Sequence, residues 1–120
     1  MKIDLIQKLL NCEVTWREAV SVEHEDSYLV KSDKEHIFHI DTETVIRAIE
    51  SCLNGRFLYE DLIDWANVVR FSDIFNFDEK QQECIISILD IIEESDEDGK
   101  TLSRDDLLLM VEKLKNNMAW

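Results

Sequence analysis

The sequence predicts a mainly α-helical domain of about six helices, with at most one small β-hairpin near residues 28–40. Gly occurs twice and Pro never, whereas folds rich in sheet need turn residues. Apolar residues recur at helical spacing along most of the chain. With 120 residues, 45% of them hydrophobic, the chain can bury a core without a metal or a disulfide. We therefore expect residues 1–120 to form a single domain.

The N-terminal part is predicted to contain two short helices. The first, over about residues 2–11, is indicated by apolar side chains three and four positions apart. They are Ile3, Ile6, Leu9 and Leu10. The second begins after Thr15, because Thr15 and Glu18 have the spacing of a capping box, and extends to about residue 22.

Two later runs are rich in aromatic and β-branched residues, Tyr28–Val30 and Ile37–Ile40. A polar stretch compatible with a turn separates them, so they predict the hairpin. A lone hairpin is marginal in water, and we expect this one to pack on the helices.

The middle of the chain predicts two longer helices. Asp41 is a candidate N-cap for the first, which should run from residue 42 to about 54 and end at Gly55 in the left-handed conformation. The second, over about residues 59–70, has the clearest amphipathic pattern. Its expected buried side comprises Leu62, Trp65, Ala66 and Val69. Trp16 and Trp120 lack such apolar neighbours, and we expect both to be partly exposed.

The C-terminal part predicts two more helices separated by an acidic loop over residues 95–100. The first is expected to open at Asn76 and to run to about residue 94. Its apolar residues cover most of the circumference, so it should lie centrally. Asp90 interrupts them, either as a carboxylate on a narrow wet edge or as a catalytic acid. Ser103 is the expected cap of the last helix.

Charge and cysteine content restrict the function classes. The chain has 27 acidic and 13 basic residues and a net charge of −14, which argues against direct binding to nucleic acids or anionic membranes. Three widely spaced cysteines suit a reducing compartment. The N-terminal apolar stretch is too short for a signal peptide, and no run reaches the ~18 residues of a membrane span. We expect a cytoplasmic protein.

No motif for catalysis or metal binding is complete. A phosphate-binding Gly loop, GxSxG and HExxH are all missing, so we expect neither an enzyme nor a cofactor. His36 and His39 would lie on opposite sides of a strand, which disfavours zinc. Residues 94–105 resemble a calcium loop, but Thr101 stands at the branched apolar position and Asp105 at the position of the bidentate Glu. We therefore expect no metal.

Acidic residues are the candidates for binding a partner. Five acids fall within six residues, a density sufficient to attract a basic surface. They are Glu93, Glu94, Asp96, Glu97 and Asp98, predicted to be borne largely by the acidic loop. The second choices are Asp73, Asp78 and Glu79.

A family resemblance covers about two-thirds of the chain. The segments that carry it are Val45–Ile49, Leu53–Phe57, Leu62–Asn67, Arg70–Ile74 and Leu102–Ser103. They resemble the core of small, acidic, largely helical bacterial proteins, among them immunity proteins encoded beside toxins, including those of contact-dependent growth inhibition systems. The resemblance implies a stoichiometric inhibitor of a cognate toxin, and it transfers no inhibitory residues to numbered positions.

The acidic charge suggests that such a toxin would be a nuclease, because nucleases hold phosphates in basic clefts. Three alternatives remain open. A DNA mimic should carry carboxylates at phosphate-like spacing, a regulatory adaptor should expose an apolar groove, and a hydrolase should hold perturbed carboxylates in a pocket.

Overall fold

The structure, a computed structural model, describes residues 3–23, 38–97 and 101–120. These parts contain α1 (Ile3–Leu10), α2 (Trp16–Glu23), β1 (Phe38–Ile40), α3 (Thr42–Leu53), α4 (Tyr59–Phe71), β2 (Phe75–Phe77), α5 (Gln82–Glu97) and α6 (Arg104–Lys115). Helices account for 68% of the described residues. The predicted mainly α-helical class is confirmed, with six helices and one small two-stranded sheet.

Local hydrogen bonds determine where several helices begin. The Glu18 amide donates to the Thr15 hydroxyl at 3.1 Å, and the Thr15 amide donates to the Glu18 carboxylate at 3.0 Å. Ser103 and Asp106 form the same reciprocal pair before α6. The Asp41 carboxylate accepts from the amide three residues later, at 2.9 Å. The predicted caps are confirmed, because each satisfies backbone donors that a helix N-terminus leaves free.

Gly55 ends the α3 segment in the left-handed conformation, as predicted, with φ of +86°. Its amide donates to the Cys52 carbonyl at 3.2 Å, and the Phe57 amide donates to the Ser51 carbonyl at 2.9 Å. Nothing lies within 4 Å of the place where a Cβ would stand. Glycine is therefore favoured here by the backbone dihedral angle and not by crowding.

Strand β1 pairs with a different segment from the one predicted. β1 pairs in parallel with β2, which places Phe38 opposite Phe75 and Ile40 opposite Phe77. The predicted hairpin strand Tyr28–Val30 lies outside the described residues. The second predicted strand is confirmed over residues 38–40, but β2 was not expected.

The pairing also moves the start of α5. The amide of Asp78 donates to the Ile40 carbonyl at 2.8 Å, which holds residues 75–78 extended beside β1. The predicted helix start at Asn76 is therefore wrong, and α5 begins at Gln82. Its end is also later than predicted, because residues 95–97 belong to its last turn and not to a loop.

The core contains the side chains predicted for α4. Trp65 is completely buried, and its indole N–H donates to the Leu9 carbonyl at 3.1 Å, which links α4 to α1. Leu62, Ala66 and Val69 are buried beside it. The expectation for Trp16 is wrong, because it lies buried in the same core on α2, which packs against α4.

Free thiols fill space as small apolar groups. Cys12 and Cys84 are buried and Cys52 is half-buried, and burial raises the pKa of all three thiols. No helix among the described residues is long and apolar enough to cross a bilayer.

Helices α4 and α5 pack side by side in opposite directions. The hydroxyl of Tyr59, at the start of α4, bonds to the hydroxyl of Ser95, near the end of α5. Arg70, near the end of α4, donates to Asp90, one and a half turns earlier in α5, at 2.8 Å. This packing leaves the outer side of α5 in solvent.

Candidate functional site

The outer side of α5 carries an acidic stripe along its whole length. Its five carboxylates share one side of the helix, because at 3.6 residues per turn they all fall within about 100° of its circumference. They are Glu83, Asp90, Glu93, Glu94 and Glu97, which we call the acidic stripe. The opposite side of α5 contributes the core residues Cys84, Ile85, Ile88, Leu89 and Ile92. The helix predicted to be apolar nearly all round therefore has a distinct solvent side.

The first-choice acids divide between two surfaces. Glu93, Glu94 and Glu97 lie in the stripe. Asp96 lies close enough to Asp64 of α4 for its charge to raise the pKa of that carboxyl. Asp98 lies outside the described residues.

The second-choice acids lie before α5 and do not form one cluster. Asp73 follows α4 and is exposed, and Asp78 is half-buried with its amide bonded to Ile40. Glu79 is exposed at the N-terminal end of α5, where it borders a groove described below.

Repulsion within the stripe is only partly compensated. Arg70 pairs with Asp90 at 2.8 Å, with both side chains about a third exposed. Partial burial raises the pKa of the Glu93 carboxyl, and the charges of Glu97, Glu94 and Asp90 raise it further against a lowering by Arg70. Glu93 therefore holds its proton more tightly in the folded protein than in the unfolded chain.

The charge at the end of α5 opposes the helix dipole. The last turn of this helix contains acids and no base, although a helix C-terminus favours cations. Like charges three and four residues apart also destabilise a helix. The acidic stripe thus lowers the stability of α5 in the free protein.

A second acidic group lies at the start of α4, beside α2. Arg17 pairs with Glu60 at 2.8 Å and lies 3.9 Å from the Asp64 carboxylate. Burial raises the pKa of Asp64 and Arg17 lowers it, while the charges of Asp61, Glu60 and Asp96 raise it. Burial is the largest of these effects, and the pKa of Asp64 stays raised despite the neighbouring Arg17.

These raised pKa values predict a pH dependence of stability. The folded state binds the protons of Asp64 and Glu93 more tightly than the unfolded chain, so their contribution to stability is lost as pH rises through the folded-state pKa. We expect the melting temperature to fall as the pH rises from the ordinary carboxyl pKa range, about 4, to about 7. The double variant Asp64→Asn, Glu93→Gln should show a smaller difference. An equal pH dependence in variant and wild type would contradict this assignment.

A groove lies beside the N-terminal half of the stripe. Its volume is about 590 Å³, and its lining comprises Glu79, Gln82, Glu83, Ile86, Ser87 and Asp90. The chain after α6 passes the edge of this groove, where the Trp120 amide donates to the Ser87 hydroxyl at 3.0 Å. The Lys113 ammonium lies 5.6 Å from the centre of the Trp120 ring.

Another exposed aromatic ring lies near this groove. The Phe71 side chain is 51% exposed, and the Arg70 guanidinium lies 5.3 Å from the centre of its ring. Because Arg70 also bonds to Asp90, Phe71 lies near the acidic lining of the groove.

A further cavity of about 440 Å³ lies on α3 near the end of α6. Its lining includes two bases, Arg47 and Lys115, as well as two acids, Glu43 and Glu50. This mixed charge contrasts with the groove of α5, whose lining contains acids and no base. In the parts of the chain that the structure describes, no group of three or more His, Cys, Asp or Glu side chains could hold a metal ion.

The stripe was readable from the sequence in part. Glu83, Asp90 and Glu97 are seven residues apart, a spacing that places them on one side of a helix. The local density of acids does not reveal this spacing. The positions of Phe71 and Trp120 near the groove depend on tertiary contacts, so no local sequence pattern predicts them.

No family model, characterised protein or solved structure matches this chain. The resemblance to immunity proteins therefore stays a prediction.

Proposed function

We propose that the protein is an immunity protein, a stoichiometric inhibitor that binds a toxin with a basic surface. A nuclease domain is the toxin class that fits best, because its substrate site must attract phosphates. The observation that carries the proposal is the acidic stripe on the exposed side of α5. It contains five carboxylates, of which Asp90 forms an ion pair with Arg70.

Electrostatic attraction would act in two ways in such a complex. A net charge of −14 draws a basic partner from a distance and raises the association rate. A cationic partner would also relieve the repulsion within the stripe and supply the positive charge that the C-terminus of α5 lacks. The repulsion that destabilises α5 in the free protein would thus be relieved on binding, and this relief would strengthen the complex.

Neutralising the stripe is expected to slow association with the toxin. The triple variant Glu93→Gln, Glu94→Gln, Glu97→Gln changes the net charge from −14 to −11 and should keep the fold. We expect a several-fold lower association rate at low salt and a flatter salt dependence. The measurement is association kinetics at two salt concentrations with the protein encoded directly upstream, and protection of toxin-expressing cells is the functional readout.

A matched control removes the same charge elsewhere. Glu13, Glu50 and Glu112 are exposed away from the outer side of α5, and their triple Gln variant also has a net charge of −11. A smaller effect of the control variant would support the stripe as the contact surface. Equal effects of both variants would assign the attraction to net charge alone. Absence of any binding to toxins or nucleases encoded nearby would exclude the immunity proposal.

A regulatory adaptor is the second candidate, favoured by one observation on α6. Leu108 and Leu109 are adjacent, and each is nearly half exposed. Exposed apolar neighbours on a helix are typical of a protein contact. If Leu108→Ala weakens binding to a cellular partner while the stripe variant does not, the adaptor function is favoured.

A further inference from the structure

We infer that the groove beside α5 anchors a basic segment of the partner, one in which an apolar side chain lies between lysines or arginines. The inference rests on the proposed function in taking a toxin as the partner, and it adds the chemistry of the segment and its place on the protein. The following observations carry it.

The groove combines an apolar floor with acidic edges. Ile86 is half-buried in its lining, and Glu79 and Glu83 are exposed beside it. Asp90 closes the other end and is held in place by Arg70. A volume of about 590 Å³ has room for several side chains. An apolar side chain can therefore cover Ile86 while flanking cations reach the carboxylates.

Two exposed aromatic residues lie near this groove, Trp120 through its amide bond to Ser87 and Phe71 through Arg70, which bonds to Asp90. Phe71 is 51% exposed and Trp120 is 38% exposed, and each already has a cation over its ring. Aromatic side chains that become buried on binding commonly carry a large share of the binding energy at protein interfaces.

Charge complementarity selects the sign of the occupant. The lining of the groove contributes three carboxylates and no base. Asp90 is already paired with Arg70, but a neutral or acidic segment would bring no positive charge to Glu79 and Glu83 on desolvation. A second copy of this chain is disfavoured for the same reason, since each copy has a net charge of −14.

The groove and the C-terminal part of the stripe are expected to act on different rate constants. Glu93, Glu94 and Glu97 attract the partner before contact and act mainly on the association rate. Phe71, Trp120 and Ile86 act after contact, so their loss should raise the dissociation rate. This separation makes the groove testable apart from the charge.

The first test uses synthetic peptides as probes. An amphipathic peptide of leucine and lysine should bind to the full chain and change the fluorescence of Trp120, whereas a twin with glutamate in place of lysine should not bind. Ile86→Ala should weaken binding of the basic peptide at least tenfold, and so should Glu79→Gln combined with Glu83→Gln. Leu108→Ala on α6 is the control, since Leu108 is similarly exposed and lies outside the groove.

Equal affinity of the basic peptide for wild type and both groove variants would overturn the inference. So would absence of peptide binding, or weakening by Leu108→Ala alone. Because Trp16 and Trp65 are buried, a fluorescence change without a change in circular dichroism reports on Trp120.

The second test uses the protein encoded directly upstream and a photo-crosslinking residue placed at position 86, with position 108 as control. We expect crosslinks from position 86 to a partner segment with Lys or Arg on both sides of an apolar residue. Binding with crosslinks only from position 108 would overturn the groove and leave the proposed function intact. Peptide binding at the groove without binding of the upstream protein would overturn the proposed function and leave the groove intact.

Discussion

Replacing Trp65 by alanine is expected to lower the free energy of unfolding by about 3–5 kcal/mol, because the change opens a large cavity in the core. Trp65 is completely buried between α4 and its neighbours. Its indole N–H also donates to the Leu9 carbonyl at 3.1 Å, so the variant loses the link between α4 and α1. Domains of this size have a total stability of about 5–15 kcal/mol, and the loss would be a large share of it.

Denaturant unfolding followed by circular dichroism measures this loss. Trp65→Phe is the companion variant, since it keeps an aromatic ring and removes the N–H donor, and its loss should be smaller. The Leu9 carbonyl would still accept the Cys12 amide at 3.1 Å, so the hydrogen bond is the lesser part of the effect. Near-wild-type stability of Trp65→Ala would contradict the core position of this residue.

Replacing Tyr59 by phenylalanine is expected to lower the free energy of unfolding by about 1–3 kcal/mol. The Tyr59 hydroxyl bonds to the Ser95 hydroxyl and accepts the Leu102 amide at 3.1 Å. Phenylalanine fills the same space, but it leaves the partly buried Leu102 amide without this acceptor. A buried donor without a partner costs more than the hydrogen bond itself contributed.

Ser95→Ala separates the two bonds of this hydroxyl. The Leu102 amide keeps its acceptor in that variant, whereas the Ser95 hydroxyl's bonds to Tyr59 and to the Ile92 carbonyl are lost. The two variants therefore differ at the Leu102 amide and not simply in total stability. Hydrogen exchange at the Leu102 amide provides the local measurement, with faster exchange in Tyr59→Phe and little change in Ser95→Ala. Unchanged exchange in Tyr59→Phe would show that the amide finds another acceptor.

Local chemistry made much of the fold predictable. The caps at Thr15, Asp41 and Ser103, and the turn at Gly55, depend on residues within a few positions of each other, so the sequence contains the whole signal. The buried side of α4 was predictable for the same reason, because its apolar period is unbroken around Trp65.

Features that depend on distant partners were not predictable in this way. Asn76 and the residues after it have the composition of a helix start, but β1 holds them extended. Trp16 lacks local apolar support, yet α4 covers it. The end of α5 looked like a loop because it is acidic, and the structure ties it to Tyr59 through Ser95. In each case a tertiary contact overrode local preference.

The candidate surface shows the same division. The density of acids near Glu93 and Glu97 was readable, and three of those residues do lie in the stripe. The contact of the C-terminal residue with the groove could not be predicted, because the bond from the Trp120 amide to Ser87 joins distant parts of the chain.

The parallel pairing of β1 with β2 also affects the order of folding. Both α3 and α4 lie in the chain between the two strands, so pairing Phe38 with Phe75 closes a long loop at an entropic cost. Pairing of three-residue strands offsets little of this entropic cost, whereas the helices can form first from local contacts. The strand pair should therefore form after the transition state for folding. Contacts made that late mainly slow unfolding, so this small sheet governs how long the native state persists more than how quickly it forms.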